Sequence, residues 1–379
     1  MNVILNKNKI IKVLRSIVNM LPKKGTIPIL LNFLFKAKNN VIELSATNLE
    51  ITVRWLINGE IIEEGSIVIP AKKFLDIIKN FRDLCNIEIF TNDTKQIIIK
   101  SEQSKFKIFG FSEFEYPKIP ILETNKNFLI NRNLFISVLK KTIFSASKDQ
   151  QEYIINSVFL MLKNGRLDVV STDGKRLSYV KLNNINNNDI FDFKIIISLK
   201  TAFELIRLIP LMDNINIKIG ILNKQMFVLD HNINIFLTTI DGIFPDYEQI
   251  ILKVKKLHTK VNVETKKIFL AIKQMISLSK RTIAINEAIS VKFSFSLNNL
   301  KISTYISGIG YGESLVKTDY TGELIELNFN PVFIIEILQN IDSKFITFKF
   351  FNSIHPVVIQ PQPIRIDLQH IYVVMPLKI

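Results

Sequence analysis

The chain has 379 residues, with 49 Lys and Arg against 34 Asp and Glu (net charge +15), 47% hydrophobic residues and 22% charged. That balance excludes a disordered chain and is enough for about three compact cores. The single cysteine, Cys85, excludes an intramolecular disulfide and a cysteine-based metal site, and it points to a reducing compartment.

The first predicted element is an amphipathic helix over Asn6–Arg15, with Ile10 and Leu14 four residues apart and a base, Arg15, at the next position. A β-rich run follows at Val41–Thr47, continued by Asn48-Leu-Glu-Ile-Thr-Val. A second helix starts at Pro70 and carries Lys72, Asp76 and Lys79 on one stripe, away from Phe74, Ile77 and Ile78. Alternating strands then lead to Tyr116-Pro117. The series recurs. A helix over Asn131–Lys140 repeats the pattern with Phe135, Leu139 and Lys140, and a strand over Arg166–Thr172 runs into Asp173-Gly-Lys-Arg. A helix from Ser198 carries Lys200, Glu204 and Arg207, and Phe244-Pro245 closes the series. It recurs a third time. The markers are the helix over Glu264–Lys273 (Ile268, Ile272, then Lys273), the strand over Asn299–Tyr305, a glycine-rich turn at Gly308–Gly312, a helix from Asn330, and Met375-Pro376.

First and second helices start 64, 67 and 66 residues apart, and the second helix precedes the X-Pro by 47, 47 and 46. Such register in three copies reads as one fold repeated three times. The fold class is α+β, each domain having two helices packed on antiparallel sheets. The expected domains are residues 1–122, 126–252 and 256–379, joined near 120–126 and 251–258. Ser198 and Asn330 are suitable N-caps, and Pro70 and Pro331 suit a first turn.

The excess charge is spread evenly. Residues 1–125, 126–253 and 254–379 carry +5, +4 and +6. An Ile-, Lys- and Asn-rich composition of the kind an AT-rich coding sequence produces explains part of this excess without function. Bases at one position of all three first helices nevertheless fit a surface that meets phosphates by salt-dependent, sequence-independent contacts. In the third copy Val332, Glu336 and Gln339 replace the second-helix stripe, so Glu336 is expected to weaken that lining locally. No aromatic platform for single strands is present, which points to duplex.

Sequence chemistry points away from an enzyme. GxxxxGK[ST], HExxH, GxSxG and CxxC do not occur, and Gly308-x-Gly310-x-Gly312 lacks the dinucleotide spacing. A hairpin turn accounts for Asp173-Gly174. No catalytic residue, metal or cofactor is expected. No apolar run is long enough to cross a bilayer and no signal sequence is evident, so no membrane association and a cytoplasmic location are expected.

Thr26-Ile-Pro-Ile-Leu30, Thr172-Asp-Gly-Lys-Arg-Leu177, Asp241-Gly-Ile-Phe-Pro-Asp-Tyr247 and Tyr372-Val-Val-Met-Pro-Leu-Lys-Ile379 resemble the bacterial sliding clamp family, DNA polymerase III subunit beta. The resemblance spans the chain. It implies three clamp-type domains, a head-to-tail homodimer ring around double-stranded DNA, and helices lining the hole. The implied role is to tether the replicative polymerase and confer processivity after an ATP-dependent loader closes the ring, with no catalysis by the clamp. The implied partners are the replicative DNA polymerase alpha subunit, clamp loader subunits and other proteins with clamp-binding motifs.

DNA-facing candidates are Lys12, Arg15, Lys24, Lys72, Lys73, Lys79, Arg132, Lys140, Lys141, Tyr153, Lys200, Arg207, Lys266 and Lys273. The resemblance implies a partner-peptide pocket of Ile155, Thr172, Gly174, Lys175, Arg176, Leu177, Pro245, Ile250, Phe333, Pro356, Val373, Met375, Pro376, Leu377, Lys378 and Ile379, and an interface including Phe106 and Leu278. Lys175 departs from the histidine common in the family, and Glu152 and Ile154 flank Tyr153 where bases or aromatics are common. Two other readings are a monomeric basic nucleic-acid-binding protein of repeated α+β domains and an enzyme on a repeated scaffold.

Overall fold

The computed structural model describes residues 1–22, 27–92, 94–120, 126–185, 192–222, 224–278 and 290–378. The first repeat contains β1 (Asn2–Asn6), α1 (Lys7–Met20), β2 (Asn32–Lys38), β3 (Val41–Thr47), β4 (Ile51–Ile57), β5 (Glu60–Glu63), β6 (Gly65–Pro70), α2 (Ala71–Lys79), β7 (Asn86–Thr91), β8 (Gln96–Ser101) and β9 (Ser104–Phe109). The second contains β10 (Asn127–Asn131), α3 (Arg132–Ile143), β11 (Ser157–Lys163), β12 (Arg166–Thr172), β13 (Arg176–Leu182), β14 (Phe193–Ser198), α4 (Leu199–Leu208), β15 (Asn216–Leu222), β16 (Gln225–Leu229), β17 (Ile233–Thr238) and α5 (Tyr247–Val254). The third contains β18 (Thr259–Glu264), α6 (Thr265–Ser277), β19 (Val291–Ser296), β20 (Asn299–Ile306), β21 (Gly310–Lys317), β22 (Ile325–Phe329), α7 (Pro331–Gln339), β23 (Phe345–Phe350), β24 (Val357–Gln362) and β25 (Leu368–Val374).

All six helices expected from the repeats are present. The seventh, α5, was not expected, and its last turn occupies part of the expected second join.

The chain forms two compact units, one built mainly from Met1–Ile136 and Phe203–Thr239, the other mainly from Ser137–Ile185 and Ile240–Ile379. The reason is strand pairing. In the first unit a five-stranded sheet runs β5-β1-β7-β8-β9, and an eight-stranded sheet runs β10-β15-β16-β17-β4-β3-β2-β6. The larger sheet is half second repeat and half first, joined where β17 pairs antiparallel with β4. In the second unit an eight-stranded sheet runs β14-β11-β12-β13-β25-β24-β23-β18, joined where β13 pairs with β25, and a four-stranded sheet runs β21-β20-β19-β22. A shared ladder satisfies the backbone groups of two edge strands at once.

Within the first unit α1 buries Ile10, Leu14 and Ile17, and α2 buries Phe74 and Ile78, with the Phe33 and Phe74 rings 5.7 Å apart. In the second unit Phe293, Phe295, Phe329 and Phe348 pack edge-on or tilted beside Ile268 and Ile272 of α6. Each such side chain contributes about 1.5–3 kcal/mol on burial.

The first residue of each first helix has the same task. Lys7 Nζ donates to the Lys79 carbonyl (3.2 Å) and to that of Phe81, beyond α2. Arg132 donates to the Met212 carbonyl beyond α4, and Thr265 Oγ1 donates to the Ser343 carbonyl (2.8 Å) beyond α7. These bonds satisfy carbonyls left over past each second helix. Ser198 Oγ accepts from Thr201 N, and Asn330 Oδ1 from Val332 N (each 3.0 Å), as N-caps do.

One spacing marker is a coincidence. Met375 N donates to the Lys175 carbonyl (3.0 Å) as Thr238 N donates to that of Glu50 (2.9 Å). Thr238, not Phe244, is thus the counterpart of Met375, and the third X-Pro lies several residues earlier in its repeat than the other two.

On β25, His370 is 9% exposed and neither ring nitrogen has a partner among the described residues. Burial, and then the nearby Lys141 ammonium, push its pKa down to about 4. The unfolded chain, with an ordinary histidine near 6.5, binds the proton first as pH falls. Stability therefore drops from about pH 6.5 to about pH 4, by ~2–3 kcal/mol from this group. We expect His370→Phe to flatten that part of the acid limb in urea titrations at pH 7 and 4.5; an unchanged limb refutes the assignment.

Candidate nucleic-acid interface and partner pocket

Lys12 and Arg15 on α1, Lys72, Lys73 and Lys79 on α2, Lys140 on α3, Lys200 on α4, and Lys266 and Lys273 on α6 are exposed. Apolar periodicity buries the opposite face of each helix, so these bases lie on the solvent side. Lys79 pairs with Asp76 at 2.6 Å, and Arg207 with Glu204. These i,i+3 bridges account for the acidic residue within each stripe. Tyr153 is 59% exposed on the loop before β11. Lys24 lies outside the described residues.

Two candidates are corrected. Arg132 is half-buried and engaged with the Met212 carbonyl, as the counterpart of Lys7 and Thr265. Lys141 is 6% exposed, with Nζ on the Asn340 carbonyl (3.0 Å) and on Asp342 (2.8 Å). Sequence spacing alone cannot separate a lysine facing solvent from one that closes the end of α7. Glu336 is the third correction. It pairs with Arg176, and with Lys148 at 3.5 Å, so its charge is matched within the chain.

The pocket candidates centre on the hairpin between β12 and β13. Asp173 Oδ1 accepts from the amides of Lys175 and Arg176 (each 3.0 Å). Thr172 Oγ1 donates to the Arg176 carbonyl (2.6 Å) and accepts from Gly174 N (3.1 Å). Gly174 sits at φ +80°, where glycine is unstrained. The first repeat builds the same turn from Thr47, Asn48 and Ile51, but with Leu49 at φ +73° in glycine's place. Asp173-Gly174 is thus a turn device.

Arg176 is 5% exposed and fully engaged. Its Nε donates to Asp173 (2.9 Å), Nη1 to Glu336 and Nη2 to the Phe144 carbonyl (2.7 Å), and the guanidinium lies 4.3 Å from the Phe333 ring centroid. Successive strand residues alternate between faces. Arg176 and Phe333 therefore belong with the core containing Val374, while Leu177, Val373 and the half-buried Ile250 share a second cluster on the other face.

That second cluster explains the Asp241–Tyr247 motif. Phe244 stacks on Phe159 (5.2 Å between centroids, 16° between planes), and Asp246 Oδ1 caps α5 through Gln249 N (3.2 Å). The Tyr247 hydroxyl donates to Asp168 (3.3 Å), which also takes Tyr179 (3.0 Å) and Arg166 (2.7 Å). Burial raises the Asp168 carboxyl pKa and those three partners oppose the rise. Sequence reasoning missed Asp168; a carboxylate in an otherwise apolar strand was the available signal.

Around this cluster Pro245, Met375, Gly174, Lys175 and Lys378 are exposed, Ile155, Pro356 and Leu377 are half-buried, and Thr172 and Pro376 are buried. Leu377 N donates to the Asn328 carbonyl (2.7 Å), which carries the tail alongside β22. Ile379 lies outside the described residues. Met375, adaptable and 40% exposed, is a fitting contact for varied apolar ligands. Among the described residues no group of three or more His, Cys, Asp or Glu is placed to hold a metal ion, and no helix is long and apolar enough to cross a membrane.

Three family models match in succession. These are the DNA polymerase III beta subunit N-terminal domain over residues 1–120, its central domain over 129–246 and its C-terminal domain over 255–378. The chain belongs to the DNA polymerase III beta subunit family. The beta sliding clamp of Buchnera aphidicola subsp. Acyrthosiphon pisum is 30% identical over 383 residues, and that of Chlamydia muridarum 26% over 381, covering 100% of this chain and 100% and 99% of theirs. The beta subunit structure from Thermotoga maritima superposes with a TM-score of 0.87 at 26% identity, over 100% of this chain and 99% of that one. The Pseudomonas aeruginosa structure gives 0.90 at 23% over the whole of both chains and shows the shared fold. As a beta-family chain it has three clamp-type domains, and the shared sheets explain why its compact units divide the middle one.

Arg176 holds together groups from three segments, the hairpin, α7 and the end of α3. We expect Arg176→Met to cost about 3 kcal/mol in chemical denaturation, because it removes the buried guanidinium from the Glu336 and Asp173 carboxylates and from the Phe144 carbonyl. Adding Glu336→Gln should restore part of that. A single-variant loss under about 1 kcal/mol contradicts the role assigned to the guanidinium.

Proposed function

We propose that this DNA sliding clamp works as a homodimeric ring that encircles duplex DNA and holds the replicative polymerase at the primer end, with domains over residues 1–122, 126–252 and 256–379. The observation that carries ring closure is a correspondence of strands. The fourth strands of the first two repeats, β4 and β13, are each paired by the last strand of the following repeat, β17 and β25. The remaining pair of that kind is β21 of the third repeat and β9 of the first, and both are edges of their sheets. Pairing β9 of one chain with β21 of a second copy extends the same rule head to tail, and two copies then leave none of these edges open.

Surface chemistry supports that closure. Phe106 and Phe109 on β9 are 42% and 72% exposed, and Tyr311 and Leu315 on β21 are 54% and 68%. Exposed Lys105 and Lys107 on β9 and exposed Glu313 on β21 offer opposite charges to the proposed seam. Leu278 lies under β21, its Cδ1 2.7 Å from where a Cβ on Gly312 would sit.

Bases on α1, α2, α3, α4 and α6 meet phosphates weakly and without reading bases, which leaves the ring free to slide. The clamp itself catalyses nothing. Closure keeps it on the polymer, and the tether raises the local concentration of a polymerase whose peptide sits on Leu177, Pro245, Val373 and Met375. Loading falls to an ATP-dependent loader, and the work is done where the chromosome lies, in the cytoplasm.

Two outcomes test this. With a loader and ATP, the protein should be retained on nicked circular duplex and lost on linearisation; equal retention on both forms supports a monomeric basic DNA-binding protein instead. Phe106→Asp should convert the dimer to monomer in light scattering at micromolar concentration, since it places a charge on the seam at a ring that packs within the chain on half-buried Phe81. A wild-type monomer, or a variant that stays dimeric, overturns the proposed seam.

A further inference from the structure

One row of directly paired residues crosses the sheet that joins the second and third repeats. Leu177 on β13 pairs with Val373 on β25, Val373 with Val358 on β24, Val358 with Lys349 on β23, and Lys349 with Lys260 on the edge strand β18. Direct partners point to the same face, and strands lie about 4.8 Å apart. Lys349 is thus about 10 Å from Val373, and Lys260 about 15 Å.

Two lysines directly opposite each other in an antiparallel ladder repel. Neither forms an ion pair among the described residues. Lys349 is half-buried, and burial together with Lys260 lowers its pKa. The end of α5 adds to the cluster. Val254 is buried in the same apolar cluster as Val358, which places exposed Lys253, Lys255 and Lys256 beside the row. The position of Lys253 in the last turn has an ordinary reason, the partial negative charge of a helix C-terminus. The opposed pair Lys260 and Lys349 has no such reason in the fold.

We propose that Lys349 and Lys260, with the lysines at the end of α5, form a docking strip for an acidic segment next to the apolar anchor of a partner peptide. The proposal rests on the reading of Leu177 and Val373 as the anchor site. It makes the strip a selectivity device: partners carrying Asp or Glu beside the anchor bind more tightly than partners with neutral flanks. An acidic segment both completes the charges and relieves the repulsion between the two opposed ammonium groups. Continuity with the anchor site along one row favours a peptide over nucleic acid.

The test uses labelled synthetic peptides that share a Leu-Leu-Phe anchor, with four Glu or four Gln on its N-terminal or its C-terminal side. Fluorescence anisotropy against the intact protein should show one Glu-flanked peptide binding about five-fold tighter than its Gln counterpart at low salt. Lys349→Gln with Lys260→Gln should abolish that advantage and leave the Gln-flanked peptides unchanged. Neither substitution removes an ion-pair partner among the described residues, so the double variant folds, which melting curves verify. Equal binding of Glu and Gln peptides to wild type, or an advantage that survives the double variant, overturns the strip while leaving the anchor site standing. Failure of every peptide to bind overturns both readings. A double variant that weakens binding of a 20-base-pair duplex but not the Glu advantage assigns these lysines to nucleic acid and refutes the proposal.

Discussion

Backbone pairing across repeats is the constraint on which the rest depends. A half-sheet with an open edge exposes a row of unpaired amides and carbonyls. The chain removes four such edges by continuing the second repeat's sheets into those of its neighbours, through β17 with β4 and β25 with β13. The result is two eight-stranded sheets that ignore domain boundaries. The same arrangement leaves β9 and β21 as sheet edges, and the hypothesis of a closed dimer grows from that remainder.

Arg176 connects this scaffold to the candidate pocket. It stands at the first rung of the β13–β25 ladder, opposite Val374. Its guanidinium spends its donors on Asp173, Glu336 and the Phe144 carbonyl, so the hairpin, α7 and the end of α3 are held by one charge. The next residue, Leu177, faces the opposite side with Val373. A buried polar node under an apolar contact surface keeps that surface from collapsing into the core, because moving it would strand charges in a low-dielectric interior.

The electrostatics divide by burial. Lys7, Arg132 and Lys141 are basic residues committed to helix ends and loops within the chain. Lys12, Arg15, Lys72, Lys73, Lys140, Lys266 and Lys273 are left to solvent on helices whose apolar faces are fully used. Net charge counts both kinds alike, which is why +15 by itself says little about how strongly a polyanion is held.

Local chemistry by itself determined the threefold repeat, the six recurring helices, the N-caps at Ser198 and Asn330 and the Asp173-Gly174 turn, because each depends on neighbours within a few residues. The X-Pro spacing misled in the third copy, since proline marks a turn without saying which strand precedes it. Only the tertiary structure decided that Glu336 pairs with Arg176, that Lys141 closes on Asp342, that Asp168 gathers Tyr179, Tyr247 and Arg166, and that Lys260 stands opposite Lys349. Those partners lie 160, 201, up to 79 and 89 residues apart in the chain. The physical reason is that a side chain's periodicity tells which face it occupies, whereas its partner is set by strand order and register, which long-range pairing alone establishes.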